Sequence, residues 1–220
     1  MQVMKVQRPN FIVGIGGIGG SAGGLNAYKD LLNTLPLNTG MAFVIIAHLM
    51  PSASSQLVQI LSRHTKMVVT LATEAMPIQA NHVYVIPPNA DLYIEKDTFK
   101  VVTPRTLRNK QVDLFFISIS EVMGARAIGI IVSGYDGDGS EGCKHIKAKG
   151  GITFAQDRSA EVNHMPLNAV ATGCIDFVLP VEKISYELTK LVRGASGKKK
   201  KTKSKPKIIK TFSPATRSDN

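Results

Sequence analysis

Short apolar runs alternate with amphipathic segments through most of this chain. The apolar runs, which are rich in β-branched residues and typical of buried parallel strands, occupy residues 11–15, 41–47, 67–71, 127–133, 151–155 and 176–179. Segments with the apolar spacing of helices lie between them, at residues 24–34, 52–64, 112–123, 139–149, 166–172 and 181–192. Such alternation predicts βαβ units. We therefore predict an α/β fold, a doubly wound three-layer αβα domain around a mostly parallel sheet.

The middle of the chain departs from this alternation. Residues 82–86, 92–95 and 99–103 form three short apolar runs that follow one another closely, with turn-forming residues between them. Runs joined by such short turns pair antiparallel, because a parallel pairing needs a longer crossover. This predicts an antiparallel meander, and hence an antiparallel hairpin at one edge of the parallel sheet.

Positive charge is concentrated at the end of the chain. The net charge is +11, but residues 193–220 contain ten lysines and arginines and one aspartate. Residues 1–192 therefore hold 17 basic and 15 acidic side chains and are nearly neutral. A run of like charge with glycine, serine and proline predicts a disordered tail or linker. We expect an extension at residues 1–10, a folded domain at residues 11–192 and a basic tail at residues 193–220.

Composition excludes several classes of protein. No apolar run reaches the roughly 18 residues that a membrane span needs, and the first ten residues lack the apolar core of a signal peptide. We therefore expect a cytoplasmic protein. Cys143 and Cys174 are far apart in sequence, which predicts reduced structural thiols. Aromatic residues do not interleave with the lysines of the tail, so nucleic acid is not the expected partner.

A glycine-rich segment near the N-terminus fits a dinucleotide-binding motif. Gly14, Gly16 and Gly19 have the G-x-G-x-x-G spacing of loops that cradle a pyrophosphate. That motif also needs an acidic residue at the end of the second strand, where it binds the ribose. Residues 41–63 contain neither aspartate nor glutamate. A nucleotide-binding domain on this glycine loop therefore stays the alternative hypothesis.

The same segment fits a second motif, in which a serine is the nucleophile. Gly19, Ser21 and Gly23 have the G-x-S-x-G spacing of a nucleophile elbow, where flanking glycines permit a strained turn that exposes the serine oxygen. Serine needs a neighbouring base, and His48 follows the second predicted strand. Parallel strands bring their carboxyl ends to one sheet edge, so these two side chains are expected to meet there.

A carboxylate is also expected at this edge, because it would fix the tautomer of the histidine. The turn after the predicted strand at residues 127–133 supplies two candidates, Asp136 and Asp138, and spacing alone does not choose between them. The chain order serine, histidine, aspartate differs from that of the α/β-hydrolases, in which the histidine comes last.

Several ordered motifs resemble the catalytic domain of the CheB-type protein-glutamate methylesterases, which demethylate bacterial chemotaxis receptors. The resemblance extends over residues 12–192. Its motifs are GSAGG at residues 20–24, AHLMP at 47–51, ANHVYVIPP at 80–88, VDLFF at 112–116, SGYDGDG at 133–139, GGITFAQ at 150–156 and MP at 165–166. The resemblance implies a doubly wound α/β domain and a catalytic triad of Ser21, His48 and Asp138, and it selects Asp138 over Asp136.

The resemblance also implies the chemistry and the partners. Methyl esters on receptor glutamates would be hydrolysed, and receptor glutamines deamidated, without a metal or an organic cofactor. We expect the backbone N–H groups of Ala22 and Tyr135 to form the oxyanion hole. The expected partners are methylated chemoreceptor helices and, through the basic tail, a receptor methyltransferase domain or another acidic partner. A non-catalytic chemotaxis binding module is a further alternative.

One departure from the family pattern concerns regulation. Members usually carry an N-terminal receiver domain whose phosphorylation relieves inhibition, and here only about ten residues precede the first predicted strand. We therefore expect that this switch is absent. The motifs are closer to those of methylesterase segments fused ahead of a receptor methyltransferase, and the basic C-terminal segment fits a linker in such a fusion.

Overall fold

The computed structural model describes residues 13–48 and 56–198. Seven parallel strands form the main sheet in the order β3-β4-β2-β1-β7-β8-β9. They are β1 (Ile15–Gly20), β2 (Ala42–Ala47), β3 (Val68–Leu71), β4 (His82–Val85), β7 (Ala127–Ile131), β8 (Ile152–Gln156) and β9 (Phe177–Leu179). Strands β5 (Asp91–Glu95) and β6 (Thr98–Val102) pair antiparallel as a separate two-stranded sheet.

In the described residues, six α-helices cover the two faces of the main sheet. They are α1 (Gly24–Thr34), α2 (Gln56–Ser62), α3 (Gln111–Met123), α4 (Ser140–Ala148), α5 (His164–Ala171) and α6 (Val181–Lys198). Buried side chains of α1, α2 and α6 share one core with one face of the sheet. Those of α3, α4, α5 and the β5–β6 hairpin share the other. The predicted α/β fold, a doubly wound three-layer αβα domain around a mostly parallel sheet, is therefore confirmed. The antiparallel hairpin predicted at one edge of that sheet is present as a two-stranded sheet of its own.

Two predicted strands differ from the observed ones, one in its pairing and one in its position. Residues 82–86 do not begin an antiparallel meander, because β4 pairs in parallel with both β2 and β3 inside the main sheet. The first strand is β1 at Ile15–Gly20 rather than residues 11–15, of which 11 and 12 lie outside the described residues.

The glycines predicted to form a loop instead form strand β1, and close packing explains why they are glycines. A Cβ added at Gly17 would lie 2.6 Å from the Phe116 ring, and one at Gly19 would lie 2.3 Å from a methyl group of Val112. Helix α3 therefore approaches the middle of the sheet more closely than any side chain on β1 would allow. Since β1 pairs with β2 on one side and β7 on the other, this run offers no phosphate-binding loop.

Strand β1 lies at the point where the order of the strands reverses. The chain passes from β1 to β2, β3 and β4 on one side, and returns through β7, β8 and β9 on the other. In open α/β sheets the crevice at the carboxyl ends of the strands beside such a switch point is the usual binding site. The ends of β1, β2 and β7 are therefore where function is expected.

The C-terminal helix is longer than predicted. Helix α6 continues past Val192 to Lys198, so the first residues assigned to the basic tail are helical. Residues 1–12 and 199–220, with the predicted N-terminal extension and the rest of the tail, lie outside the described residues. Within the described part of the chain, no helix has both the length and the apolarity that crossing a bilayer would require.

Candidate active site

Ser21 is the first residue after β1, at the carboxyl edge of the sheet. Its N–H donates to the carbonyl of Ser133 at 2.9 Å, and its own carbonyl accepts the N–H of Gly24 at 2.9 Å. These bonds join the end of β1 to the end of β7 and to the first turn of α1. The serine is therefore held at a fixed position between two strands, with its side chain partly exposed.

The strained position of the turn is Gly23, and not the serine as the elbow motif predicts. Gly23 has φ 71°, whereas Ser21 is absent from the described residues that have a positive φ. A Cβ at Gly23 would lie 2.5 Å from Ser133 Oγ and 2.8 Å from the Cβ of Glu161. Glycine is required there both by the left-handed backbone and by the space available.

His48 follows β2 directly and reaches the same edge. In the parallel pairing of β1 with β2, Gly20 lies opposite Ala47, so Ser21 and His48 are the next residues on adjacent strands. The His48 side chain is only 8% exposed. Its Nε2 lies 2.7 Å from Asp138 Oδ2, a short bond between a ring nitrogen and a carboxylate.

Asp138 is fully buried, and two backbone groups hold its carboxylate. The N–H of Val112 donates to Oδ2 at 3.0 Å, and the N–H of Asp113 donates to Oδ1 at 2.9 Å. Both donors belong to the first turn of α3, where unpaired N–H groups and the helix dipole favour a negative charge. The start of α3 therefore stabilises the anion that binds His48.

Asp113 makes the reciprocal contact, a role that the sequence pattern does not predict. Its Oδ1 accepts the N–H of Gly142 in the first turn of α4 at 2.8 Å, and its Oδ2 binds Lys110 Nζ at 2.9 Å. Since α4 begins two residues after Asp138, each helix start is capped by an aspartate associated with the other. Asp113 is therefore a positioning residue for the Asp138 turn. Its place at the third position of α3 was the available signal, as first-turn aspartates often act as caps.

Asp136 lies on the opposite edge of the His48 ring. Its Oδ2 is 3.2 Å from Nδ1, but the alignment is not that of a hydrogen bond, and the buried Nδ1 has no hydrogen-bond partner among the described residues. Burial by itself would lower the pKa of His48, but the carboxylates of Asp136 and Asp138 outweigh it and raise this pKa to about 9. Burial would raise the pKa of Asp136, yet the contact with His48 brings that pKa below its ordinary value.

The backbone around Ser21 offers donors to a developing oxyanion. The described hydrogen bonds leave the N–H groups of Ala22 and Tyr135 without an acceptor, while that of Gly134 is used by Val162. Tyr135 is exposed at the edge of the site, and its ring meets that of His164 edge to face, with 5.2 Å between centroids. The assignment of Ala22 and Tyr135 to an oxyanion hole stays a prediction.

The remaining histidines of the described chain have other contacts. His64 Nδ1 lies beside Asn33, His82 Nδ1 beside the carbonyl of Ala80, and His145 beside Glu141 on α4. None of these three reaches Ser21, His48 or Asp138 through a hydrogen bond or an ion pair that the structure describes. The structure thus places Ser21 and His48 directly after adjacent strands and brings His48 together with both aspartates.

Known proteins of similar sequence and structure agree with this architecture. A protein-glutamate methylesterase/protein-glutamine glutaminase of Leptospira interrogans is 37% identical over 172 residues, 76% of this chain and 89% of that protein. A second protein of the same name, from Hydrogenovibrio crunogenus, is 33% identical over 80% of this chain and 48% of its own length. The crystal structure of the Thermotoga maritima CheB methylesterase catalytic domain matches with a TM-score of 0.75 and 25% identity. It covers 81% of this chain and 98% of that one.

The family comparison extends over most of the described residues. The model of the CheB methylesterase family matches residues 16–188, from the second residue of β1 into α6. That range includes the β5–β6 sheet, all of the main sheet after Ile15 and every residue of the site described above. The chain therefore belongs to the CheB methylesterase family.

Proposed function

We propose that this protein is a serine hydrolase that removes methyl groups from glutamate methyl esters of chemoreceptors, with Ser21, His48 and Asp138 as its triad. The observation that carries the proposal is that Ser21 and His48 follow adjacent strands at the switch point of the sheet, with Asp138 bound to His48. His48 Nε2 is 2.7 Å from the buried Asp138. Membership of the methylesterase family supports the reaction class, and the names of the two relatives support the substrate.

The contact with Asp138 supports a separate role for each ring nitrogen. Asp138 occupies Nε2, so Nδ1 is the nitrogen that would face Ser21 in the reactive arrangement. His48 would take the Ser21 proton on Nδ1 while Oγ attacks the ester carbonyl carbon. Asp138 would keep the ring oriented and stabilise the imidazolium that forms. The N–H groups of Ala22 and Tyr135 would donate to the oxyanion of the tetrahedral intermediate.

The rest of the reaction returns the enzyme to its starting state. The C–O bond to the methoxy group breaks, and the leaving oxygen takes the proton from His48 and departs as methanol. A water molecule then gives a proton to His48 and attacks the acyl carbon. The bond from that carbon to Ser21 Oγ breaks, Oγ takes the proton back from His48, and glutamate is released. A receptor glutamine would follow the same path with ammonia as the leaving group, and both relatives are named as glutaminases too.

A substitution of the nucleophile tests this proposal. Ser21→Ala removes the attacking oxygen, so methanol release from methylated receptor should fall by roughly 10⁵-fold, as in other serine hydrolases. A fluorophosphonate probe should label the unaltered protein at Ser21 and leave the variant unlabelled. Ser140→Ala is the matched control, because this serine lies at the start of α4 and its buried hydroxyl binds no described residue.

The same measurements separate the alternatives. A non-catalytic binding module would bind receptor but neither release methanol nor react with the probe. Methanol release that persisted in Ser21→Ala would contradict the proposed nucleophile. We also propose that the basic segment at residues 193–220 binds a receptor methyltransferase domain or another acidic partner, since its positive charge would attract an acidic surface.

A further inference from the structure

His48 is in contact with two carboxylates, and the proposed triad needs only one. Asp138 is the buried anion at Nε2, fixed by the N–H groups of Val112 and Asp113. Asp136 adds a second carboxylate oxygen 3.2 Å from Nδ1, the nitrogen that would have to accept the Ser21 proton. The second carboxylate therefore occupies the side of the ring on which the reaction would take place.

The loop holds Asp136 in this position through contacts of its own. Its Oδ1 accepts the N–H of Asp138 at 3.2 Å, and its carbonyl accepts Asn168 Nδ2 from α5 at 3.2 Å. Its side chain is 27% exposed, whereas that of Asp138 is fully buried. Asp136 is thus oriented toward His48 but retains contact with solvent, so its carboxylate has room to move.

Few other charged groups of the described chain face this cluster. Lys110 lies at the start of α3, where its Nζ binds Asp113, and it is half exposed. It acts on both Asp136 and Asp138 only at a distance, through its charge. The ring of His48 therefore lies between two anions, and one exposed cation opposes them from the side of α3. A protonated ring is the form that such a setting favours.

We propose that Asp136 is a positioning residue that holds His48 in its protonated form and occupies Nδ1 in place of the Ser21 hydroxyl, so that the site is at rest near neutral pH. This inference rests on the proposed function, because it assigns Asp136 a role in the same proton transfer. Reaction requires His48 to lose its proton and Nδ1 to exchange the Asp136 carboxylate for the Ser21 hydroxyl. The misaligned contact at Nδ1 fits a pairing that can be exchanged.

Whether Asp136 lowers or raises the reaction rate depends on pH. Because the pKa of His48 is raised to about 9, roughly one ring in a hundred is neutral at about pH 7. Asp136 therefore lowers the amount of active base at neutral pH. Above the pKa the ring is neutral in any case, and a carboxylate beside Nδ1 then helps by stabilising the imidazolium as it forms. Removing the charge should increase the rate at neutral pH and decrease it at high pH.

The test is the pH profile of Asp136→Asn in the full chain. We expect the acid limb of kcat/KM for methanol release to move down by about one pH unit or more, with about a threefold or greater gain near pH 7 and a loss above about pH 9.5. A crossing of the two profiles is a result that simple damage to the fold would not produce. Glu95→Gln, which removes an exposed carboxylate on the β5–β6 hairpin, is the matched control and should leave the profile unchanged.

A second measurement needs no turnover. An NMR titration of the His48 ring should give a midpoint in Asp136→Asn at least about one pH unit lower than in the unaltered protein. Equal midpoints would overturn the proposal, as would an equal loss of kcat/KM at every pH. Asp136→Ser gives the same comparison if the asparagine variant does not fold. A lowered midpoint in a protein that shows no Ser21-dependent methanol release would support the pairing and overturn the proposed reaction instead.

Discussion

At the scale of single residues, His48 couples the chemistry of the site to the stability of the fold. Its pKa is raised to about 9 in the folded protein, against about 6.5 for an unperturbed histidine. A group whose pKa is higher in the folded state stabilises that state most at low pH. The stabilisation from His48 is therefore fully present below about pH 6.5 and is lost as the pH rises through about 9.

The substitution His48→Gln makes this contribution measurable. The difference in free energy of unfolding between the unaltered protein and the variant should decrease steadily between about pH 6.5 and pH 9, because only the unaltered protein loses an imidazolium between two carboxylates. Urea unfolding at a series of pH values gives this difference. In an Asp136→Asn background the decrease should be smaller, since one carboxylate is gone. Curves that stay parallel across the window would contradict the ion pairs described for His48.

At the scale of elements, the glycine strand β1 fixes how closely α3 and the site approach the sheet. Gly17 and Gly19 contact α3 through Phe116 and Val112, and the first turn of α3 in turn holds Asp138. The distance between β1 and α3 therefore influences the distance between Ser21 and the His48–Asp138 pair. A side chain on β1 would separate the layers on which the site is built.

Gly17→Ala tests this dependence. The new Cβ would lie 2.6 Å from one Phe116 ring carbon and 3.2 Å from a Phe115 ring carbon, so the helix or the rings must move. We expect the free energy of unfolding to fall by about 1–3 kcal/mol, as for other overpacked cores. Gly137→Ala is the matched control, because the nearest neighbour of its new Cβ would be Asn168 Nδ2 at 3.7 Å. Equal stability of the two variants in thermal or urea unfolding would contradict this account.

The same strand shows what the sequence could and could not predict. Helix α1 was predicted at the residues where it is observed, because its apolar spacing is set by a single buried face. The sequence pattern predicts strand β1 too early, since glycine has low strand propensity and only packing against α3 explains its use there. The pattern at strand β4 predicts a meander, because nothing local distinguishes a parallel partner distant in sequence from an adjacent antiparallel one.

For the site, the sequence predicted which residues gather but not how they pair. Ser21, His48 and the Asp136–Asp138 turn each follow a predicted parallel strand, so they are expected at the same edge of the sheet. The family resemblance chose Asp138, and the structure gives a physical reason in its burial on the first turn of α3. Asp136 also faces the His48 ring because of the local conformation of its loop. The spacing of residues in the sequence does not predict that conformation.

At the scale of the whole molecule, charge is segregated between a nearly neutral domain and a basic C-terminal segment. Lysines and arginines outnumber acidic residues ten to one in residues 193–220, whereas residues 1–192 are almost balanced. Since α6 extends at least to Lys198, a truncation at Arg193 would cut this helix, whereas one after Lys198 keeps all of its described residues. The site lies on the carboxyl edge of the sheet, and its described contacts involve no residue of α6.

Removal of residues 199–220 should therefore distinguish a role of this segment in binding a partner from a role in the reaction itself. We expect kcat/KM for a small soluble methyl ester to stay within about twofold of that of the full chain, because the residues removed take no part in the proposed triad. For methylated receptor, kcat/KM should fall, and its decrease with added salt should become weaker, since an acidic surface attracts the lysines mainly at low ionic strength.

A chain of full length with the lysines after Lys198 changed to glutamine is the matched control. It should behave like the truncated chain if charge alone is responsible. Loss of turnover on the small ester after truncation would instead show that this segment contributes to the active site.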